Sequence, residues 1–293
     1  MESKKKNGIL TTRRTFLKSL PVFSAGAFLP LALKDASAAL VPGDKKIAIQ
    51  LWSLRDILKD DLQGVLAQIS RLGFTGIEPY GFDGKFYGVE AKEFRKICSD
   101  LKLEIYSTHT GITADNADFY SEKAVDVGMQ YLVLPSFAGR PDKTAADFQN
   151  LAEEMNRIGE TCKQYNLRFG YHNHDFEFRM IDDVLLYEIL LKETDPDLVF
   201  FQPDTYFFAK AGYNLPDFIH RYPGRFLTWH IKDRNNDGDS CIIGNGRIDF
   251  KNILNSSAKA GLELMIYEQE HCSEGSPIHC AEQSLQYIHS HLL

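Results

Sequence analysis

The sequence predicts an α/β fold, a single (β/α)8 barrel of the TIM type, and three observations carry that reading. Short apolar, strand-like runs alternate with amphipathic, helix-like segments eight times, the rhythm of a parallel sheet with crossover helices. The stretch that holds them, residues 39–293, is 255 residues long, close to the roughly 250 usual for such barrels. LWSLRD, at the end of the first strand-like run, contains no glycine. The competing doubly wound open sheet places a glycine-rich phosphate loop there.

Taken in order, IAIQL (47–51) is the first strand, followed by a helix near 61–72. FTGIEP (74–79) precedes a helix near 90–101, LEIYST (103–108) one near 115–127, and YLVLP (131–135) one near 144–165. LRFGYH (167–172) leads to 181–192, LVFFQPD (198–204) to 215–221, FLTWHI (226–231) to 249–260, and LELMIYE (262–268) to 278–291. Gly73-Phe74, Gly128-Met129 and Gly261-Leu262 each put a glycine just before a strand, where it ends the preceding helix. No Pro/Ser/Gly linker or low-complexity run divides residues 39–293, so one barrel domain is expected.

Residues 1–38 have the layout of an export signal. Lys4, Lys5 and Lys6 lead into TTRRTFLKSL, then an apolar run from Leu20 to Leu33, then Ala36-Ser37-Ala38; this is a basic region, a short hydrophobic region and a small-residue cleavage site. Arg13-Arg14 followed by Phe16, Leu17 and Lys18 resembles a bacterial twin-arginine signal. The apolar run is too short to span a bilayer and is interrupted by Pro21 and Pro30. With no cysteine before Cys98, neither a lipoprotein anchor nor another stable membrane anchor is expected. The expected location is periplasmic or secreted.

Removing residues 1–38, with seven Lys/Arg and two Asp/Glu, takes the 33 basic and 40 acidic residues to 26 and 38, a net charge of −12. A surface that acidic repels phosphate backbones, which argues against nucleic acid as a partner. The five cysteines (98, 162, 241, 272, 280) show no CxxC spacing, so buried free thiols with at most an incidental bridge are expected rather than a disulfide framework.

Side chains at the carboxyl ends of barrel strands point into the active-site mouth. In this chain those positions read Glu78, His109, His172, Asp204, His230 and Glu268. A single histidine there is ordinarily a hydrogen-bonded structural residue, and a single glutamate is ordinarily solvated. Six ionisable or metal-capable residues in succession, with no Ser, Thr or Asn among them, point to a site. His172, Asp204, His230 and Glu268 come from four successive strands, and mixed imidazole and carboxylate donors without thiolate favour a divalent ion such as Mn²⁺, Co²⁺, Mg²⁺ or Zn²⁺. His172 and His174 alternate onto one side of a strand, so one can be a ligand while the other reaches toward a substrate. Asp175 and Glu177 follow in the loop.

GFTGIEPYG, TWHIKDR, GNGRIDF and MIYEQE give the chain its likeness: over roughly residues 44–292 it resembles the xylose isomerase-like TIM barrels, the superfamily of sugar isomerases and epimerases, inosose dehydratase and endonuclease IV. The resemblance implies a metal-binding Asp204 on strand six, His230 on strand seven and Glu268 on strand eight. Asp249 of the GNGRIDF element is the expected N-cap of the next helix. One position departs: sugar epimerases of this group carry a glutamate on strand five that serves as ligand and as one of two catalytic carboxylates. This chain has His172 there.

The resemblance therefore implies a metal-dependent sugar isomerase or epimerase working through an enediolate, with Glu268 as base; the export signal points to a non-phosphorylated sugar or keto-sugar as its substrate. Glu78, His174 or Glu177 would supply a second acid. The alternative is a 3-keto-glycoside lyase or an inosose-dehydratase-like lyase, which needs one base and one acid; a non-catalytic sugar-binding barrel is a third reading. The implied partner is a small carbohydrate, bound by His109, Trp52, Tyr206 and Lys232, with homo-oligomerisation left open. No basic cluster supports phosphate binding in the loops after strands seven and eight, because Asp233 separates Lys232 from Arg234. The export reading predicts that the natural protein begins at or near Ala39 when sequenced from its N-terminus. Replacing Arg13 and Arg14 by Lys blocks export if the twin-arginine route is used.

Overall fold

In the computed structural model, residues 46–137 and 142–293 are described; the export signal expected over residues 1–38 lies outside them. The expected eight-strand rhythm is present. The barrel strands are β1 (Ile47–Gln50), β2 (Gly76–Glu78), β3 (Glu104–Ile105), β4 (Tyr131–Leu134), β5 (Arg168–His172), β6 (Val199–Gln202), β7 (Thr228–Ile231) and β8 (Leu264–Tyr267). All of their pairings are parallel. They form two arcs, β7-β8-β1-β2-β3 and β4-β5-β6. Backbone hydrogen bonds close both seams. Tyr131 N–H donates to the Tyr106 carbonyl (3.2 Å) beside β3, and His230 N–H to the Pro203 carbonyl (3.0 Å) beyond β6.

The helices between strands are α1 (Leu62–Leu72), α2 (Ala91–Asp100), α3 (Ala117–Val127), α4 (Ala145–Gln164), α5 (Leu186–Glu193) and α6 (Leu215–Arg221). The segment 249–260 is split into α7 (Phe250–Leu254) and α8 (Ser257–Ala260), and α9 (Pro277–Tyr287) ends the series. Side chains cap their starts: Asp61 accepts from Gly64 N–H, Thr144 and Asp147 form a capping box, and Asp249 accepts from Asn252 N–H as expected. Gly73 closes α1 at φ +104°, a conformation costly for any residue with a Cβ. The helix expected from residue 181 begins only at Leu186. Met180–Ile181 and Val184–Leu185 pair instead as a hairpin, turning through Asp182 and Asp183 at positive φ. A disulfide joins Cys272 to Cys280, while Cys98, Cys162 and Cys241 are buried free thiols. No helix among the described residues is long and apolar enough to cross a membrane.

Alternation along the strands separates two regions. Ile47, Ile49, Phe169, Phe201, Trp229 and Tyr267 pack in the core shared with helix residues such as Leu66, Phe94 and Met155. The opposite faces fill the barrel: Ala48, Tyr106, Leu264 and Ile266 form one apolar cluster, and Tyr131, Val133 and Phe200 another. Further along the same faces the side chains turn polar, at Gln50, Glu78, Gln202, Thr228 and His230, all buried. The barrel thus has an apolar floor beneath a polar layer. A Cβ at Gly76 would lie 2.3 Å from the Glu104 carbonyl and 2.5 Å from the Tyr106 ring. Gly76→Ala is expected to destabilise the fold by about 1–3 kcal/mol, read as a lower urea midpoint.

Candidate active site

Glu78 is the hub of the polar layer. Its carboxylate accepts from Gln50 (2.9 Å), Gln202 (2.9 Å), the Ser107 hydroxyl and His230 Nε2 (2.7 Å), with His109 Nε2 at 3.2 Å. Burial alone would raise its pKa, but His109, His230 and Ser107 bring it down to about 2. His230 is held from both sides, since its Nδ1 meets Glu268 at 2.9 Å. Burial works against its charge, yet Glu268 and Glu78 outweigh burial and lift the imidazole to about 10.

Asp204 follows β6 and caps the short helix Thr205–Lys210, its Oδ1 accepting from the N–H groups of Tyr206 (2.8 Å) and Phe207 (3.2 Å). Its Oδ2 is buried without a hydrogen-bond partner, as is His172 Nδ1 at the end of β5. Donor atoms of His172, Asp204, His230 and Glu268 lie within 4.8 Å of one another; His109, His172 and His230 form an overlapping triad. An imidazole nitrogen with no hydrogen bond, and a carboxylate oxygen whose partner is the Lys232 ammonium at 3.4 Å, in a converging set of imidazoles and carboxylates fit a divalent cation. Burial, then the neighbouring histidines, hold His172 well below the usual imidazole range, so it stays neutral as a ligand must.

The cavity above this cluster has a volume of 610 Å³ and is lined by His109, His172, His174, Tyr206, Glu268 and Trp52 among others. Of the expected substrate contacts, Trp52 stands on the rim, 39% exposed. Its indole N–H donates to Glu270 (3.1 Å), and Arg55 stacks over the ring at 4.7 Å. Tyr206 lines the wall and donates its hydroxyl to the Gly238 carbonyl. His174 lies beyond the end of β5 rather than on the strand, and reaches the cavity from a turn whose geometry Glu177 sets by accepting His174 N–H (2.9 Å). Burial lowers His174 to about 4, which leaves a neutral ring.

Two expected acids are not in the cavity wall. Glu78 lies within the barrel with no exposed surface, its oxygens taken by the donors above; the structure corrects its expected role as acid to that of a buried anchor. Glu177 is likewise fully buried, bonded by the Tyr171 hydroxyl (2.7 Å). The carboxylates lining the cavity, among the described residues, are Glu268 and Glu270.

Residues 66–291 match the family model of the xylose isomerase-like TIM barrel. The chain belongs to that family. An inosose dehydratase from Bacillus licheniformis is 24% identical over 279 residues, covering 79% of this chain and 89% of that one. A second, from Clostridium tetani, is 25% identical over 174 residues and 53% of this chain, which spans 58% of that protein's length. Among solved structures, a sugar phosphate isomerase/epimerase from Parabacteroides distasonis superposes with a TM-score of 0.76 at 27% identity, covering 90% of this chain and 99% of that one. An L-ribulose 3-epimerase, at 17% identity and a TM-score of 0.63 over 84% of this chain and 93% of its own, shares the fold.

In this member of the xylose isomerase-like family Lys232, expected as a substrate contact, does not line the cavity. Its ammonium is fully buried, 3.4 Å from Asp204, 3.5 Å from Glu268 and 2.6 Å from Glu270. Burial opposes that charge, but the three carboxylates hold the lysine protonated. In turn Lys232 and His230 overcome burial and keep Glu268 well below the usual carboxylate range. A lysine directly after the apolar TWHI strand was the available signal; its burial follows from three acids that only the fold assembles. The His230 pairing carries a definite pH dependence. Its pKa rises from 6.5 to about 10 on folding, so the stabilisation is complete below pH 6.5 and is lost as pH rises through about 10. In metal-free protein His230→Gln is expected to cost about 3–5 kcal/mol at pH 6. In urea titrations across pH, that gap to the parent narrows toward pH 10.

Proposed function

We infer that the chain is a metal-dependent enzyme that moves a proton on the carbon beside a carbonyl of a non-phosphorylated sugar or keto-sugar, as a sugar isomerase or epimerase. The observation carrying this is Glu268, which belongs both to the four-donor cluster and to the cavity wall. His172, Asp204, His230 and Glu268 would hold the ion, which when bound supplies Lewis acidity toward a carbonyl and its neighbouring hydroxyl. Glu268, kept ionised by Lys232 and His230, takes the proton. Lys232 offsets the negative charge that gathers around Asp204 and Glu268, and His109 and His174 present ring nitrogens to substrate oxygens. Trp52 and Tyr206 offer aromatic faces to the sugar.

Delivery of the proton to the adjacent carbon of the enediolate on the same face, with a proton passing between the two oxygens, needs Glu268 as the one carbon base, which is isomerisation. Inversion needs a donor on the other face; His174 lines the cavity, and its neutral ring would have to take up a proton when substrate binds to serve. The family's two-carboxylate epimerase arrangement is incomplete in this chain because strand five ends in His172. That observation favours a second reading, a lyase or dehydratase in which Glu268 removes the proton and His174 assists departure of a β-oxygen substituent. The similarity to inosose dehydratases is in keeping with it. An exported chain would meet free sugars and glycosides rather than cytoplasmic sugar phosphates.

Metal-loaded protein screened against sugars, 3-keto-sugars and 3-keto-glycosides by proton NMR in D₂O separates the readings, since isomerisation, inversion and elimination place deuterium differently. Glu268→Gln is expected to retain metal and substrate while solvent exchange at the reacting carbon falls by about 10²–10⁴-fold. Exchange at the parent rate in that variant would remove Glu268 as the base. No exchange by the parent on any of these substrates would leave a sugar-binding barrel as the better account.

A further inference from the structure

The short helix Thr205–Lys210 has a cavity on each side. Tyr206, Phe207 and Lys210 face the main one; Thr205, Phe208 and Ala209 line a second, of 200 Å³. Arg234, Arg247, Asn214 and Asn252 also line this second cavity. Neither arginine has an ion-pair partner among the described residues, and Arg234 Nε is buried without a hydrogen bond. Asp249 is the carboxylate among the lining residues, and it accepts Asn252 N–H (3.1 Å) at the start of α7. Two guanidinium groups and one carboxylate line the recess, on a chain of net charge −7; the nearby Asp233 carboxylate is taken up by backbone N–H groups.

The recess is built by Asp233, the residue that separates the two basic side chains in sequence. Lys232, just past β7, turns toward Glu268, whereas Arg234 belongs to the hairpin that follows and lines the second cavity. The Asp233 carboxylate accepts from Arg234 N–H (2.7 Å) and Ile248 N–H (3.2 Å) at one oxygen, and from Gly244 N–H (2.9 Å) and Gly246 N–H (3.1 Å) at the other. That folds the loop back so that Arg247 N–H donates to the Arg234 carbonyl (2.9 Å). Only glycine fits at 246, where a Cβ would lie 2.1 Å from the Asp233 carboxylate. Two arginines thirteen residues apart in sequence are thereby joined at the backbone, and both line the same cavity.

We propose that this second cavity is a binding site for a small oxyanion, held by the forked donors of Arg234 and Arg247 with the amides of Asn214 and Asn252. Planar guanidinium groups match carboxylate and phosphate oxygens pairwise, and the volume, about a third of the main cavity, suits an ion or a single acidic group rather than a sugar. The proposal is independent of the reaction in the main cavity. Calorimetric titration of the purified full chain with inorganic phosphate, and in parallel with sulfate and acetate, tests it. Saturable binding of one or more of these is expected, and their ranking tells a tetrahedral ligand from a carboxylate. Affinity should fall on the order of 10- to 100-fold for each arginine removed in Arg234→Gln and Arg247→Gln. Amide NMR of the unaltered protein gives the location without any variant: the shifts should centre on Arg234, Gly246 and Arg247. No saturable binding of any of the three anions, undiminished binding in the double variant, or shifts centred on His172 and His174 would each overturn it.

Discussion

A carboxylate buried as completely as that of Glu78 must have its charge answered inside the barrel, and that requirement organises the polar layer. The answering donors come from different strands: Gln50 ends β1, Gln202 ends β6 and His230 lies on β7. Each is fixed in rotamer by the bond it makes, so the strands are locked in register as well as in number. His230 is the link to the chemistry. With Nε2 on Glu78 and Nδ1 on Glu268, its ring plane is set by the anchor below, and Glu268 is positioned in turn. An imidazole oriented through its second nitrogen is what a metal site ordinarily requires.

Charge balance explains why so many acids tolerate one another here. Asp204, Glu268 and Glu270 surround a single ammonium, that of Lys232, which also lies 5.0 Å from the Tyr206 ring and 4.5 Å from that of Phe207. Those aromatic faces favour a cation in an otherwise dry place. Lys232 keeps Asp204 and Glu268 from repelling each other, and a divalent ion would complete the neutralisation while displacing the proton of His230.

The barrel, its eight strand ends and the four donors that converge were legible in the sequence, because strand termini carry a period and a position that burial does not alter. The roles of neighbouring polar residues were not. Gln50 and Gln202 read as the polar ends of apolar runs; only parallel pairing of β1 with β2, which sets Gln50 opposite Glu78, makes them donors to one carboxylate. Trp229 and Tyr171 face the helices, since each is one residue out of phase with its inward-pointing neighbour. Asp233 read as a reason to dismiss phosphate. Folded, it closes the loop that brings Arg247 to Arg234, a long-range effect of one side chain on four backbone N–H groups.

The division of the barrel into two arcs gives the donor cluster a mechanical meaning. His172 and Asp204 belong to the three-strand arc, His230 and Glu268 to the five-strand arc. The join between them at β6 and β7 is a narrow one, marked by the bridge between Asp204 and His230. Anything that grips all four side chains is a rivet through that join. Its binding energy becomes closure energy for the barrel, by the same linkage that makes any native-state ligand a stabiliser. Breathing of the seam and escape of the ligand are then one motion, so a substitution remote from the cavity that loosens β6 against β7 weakens retention without touching a single donor.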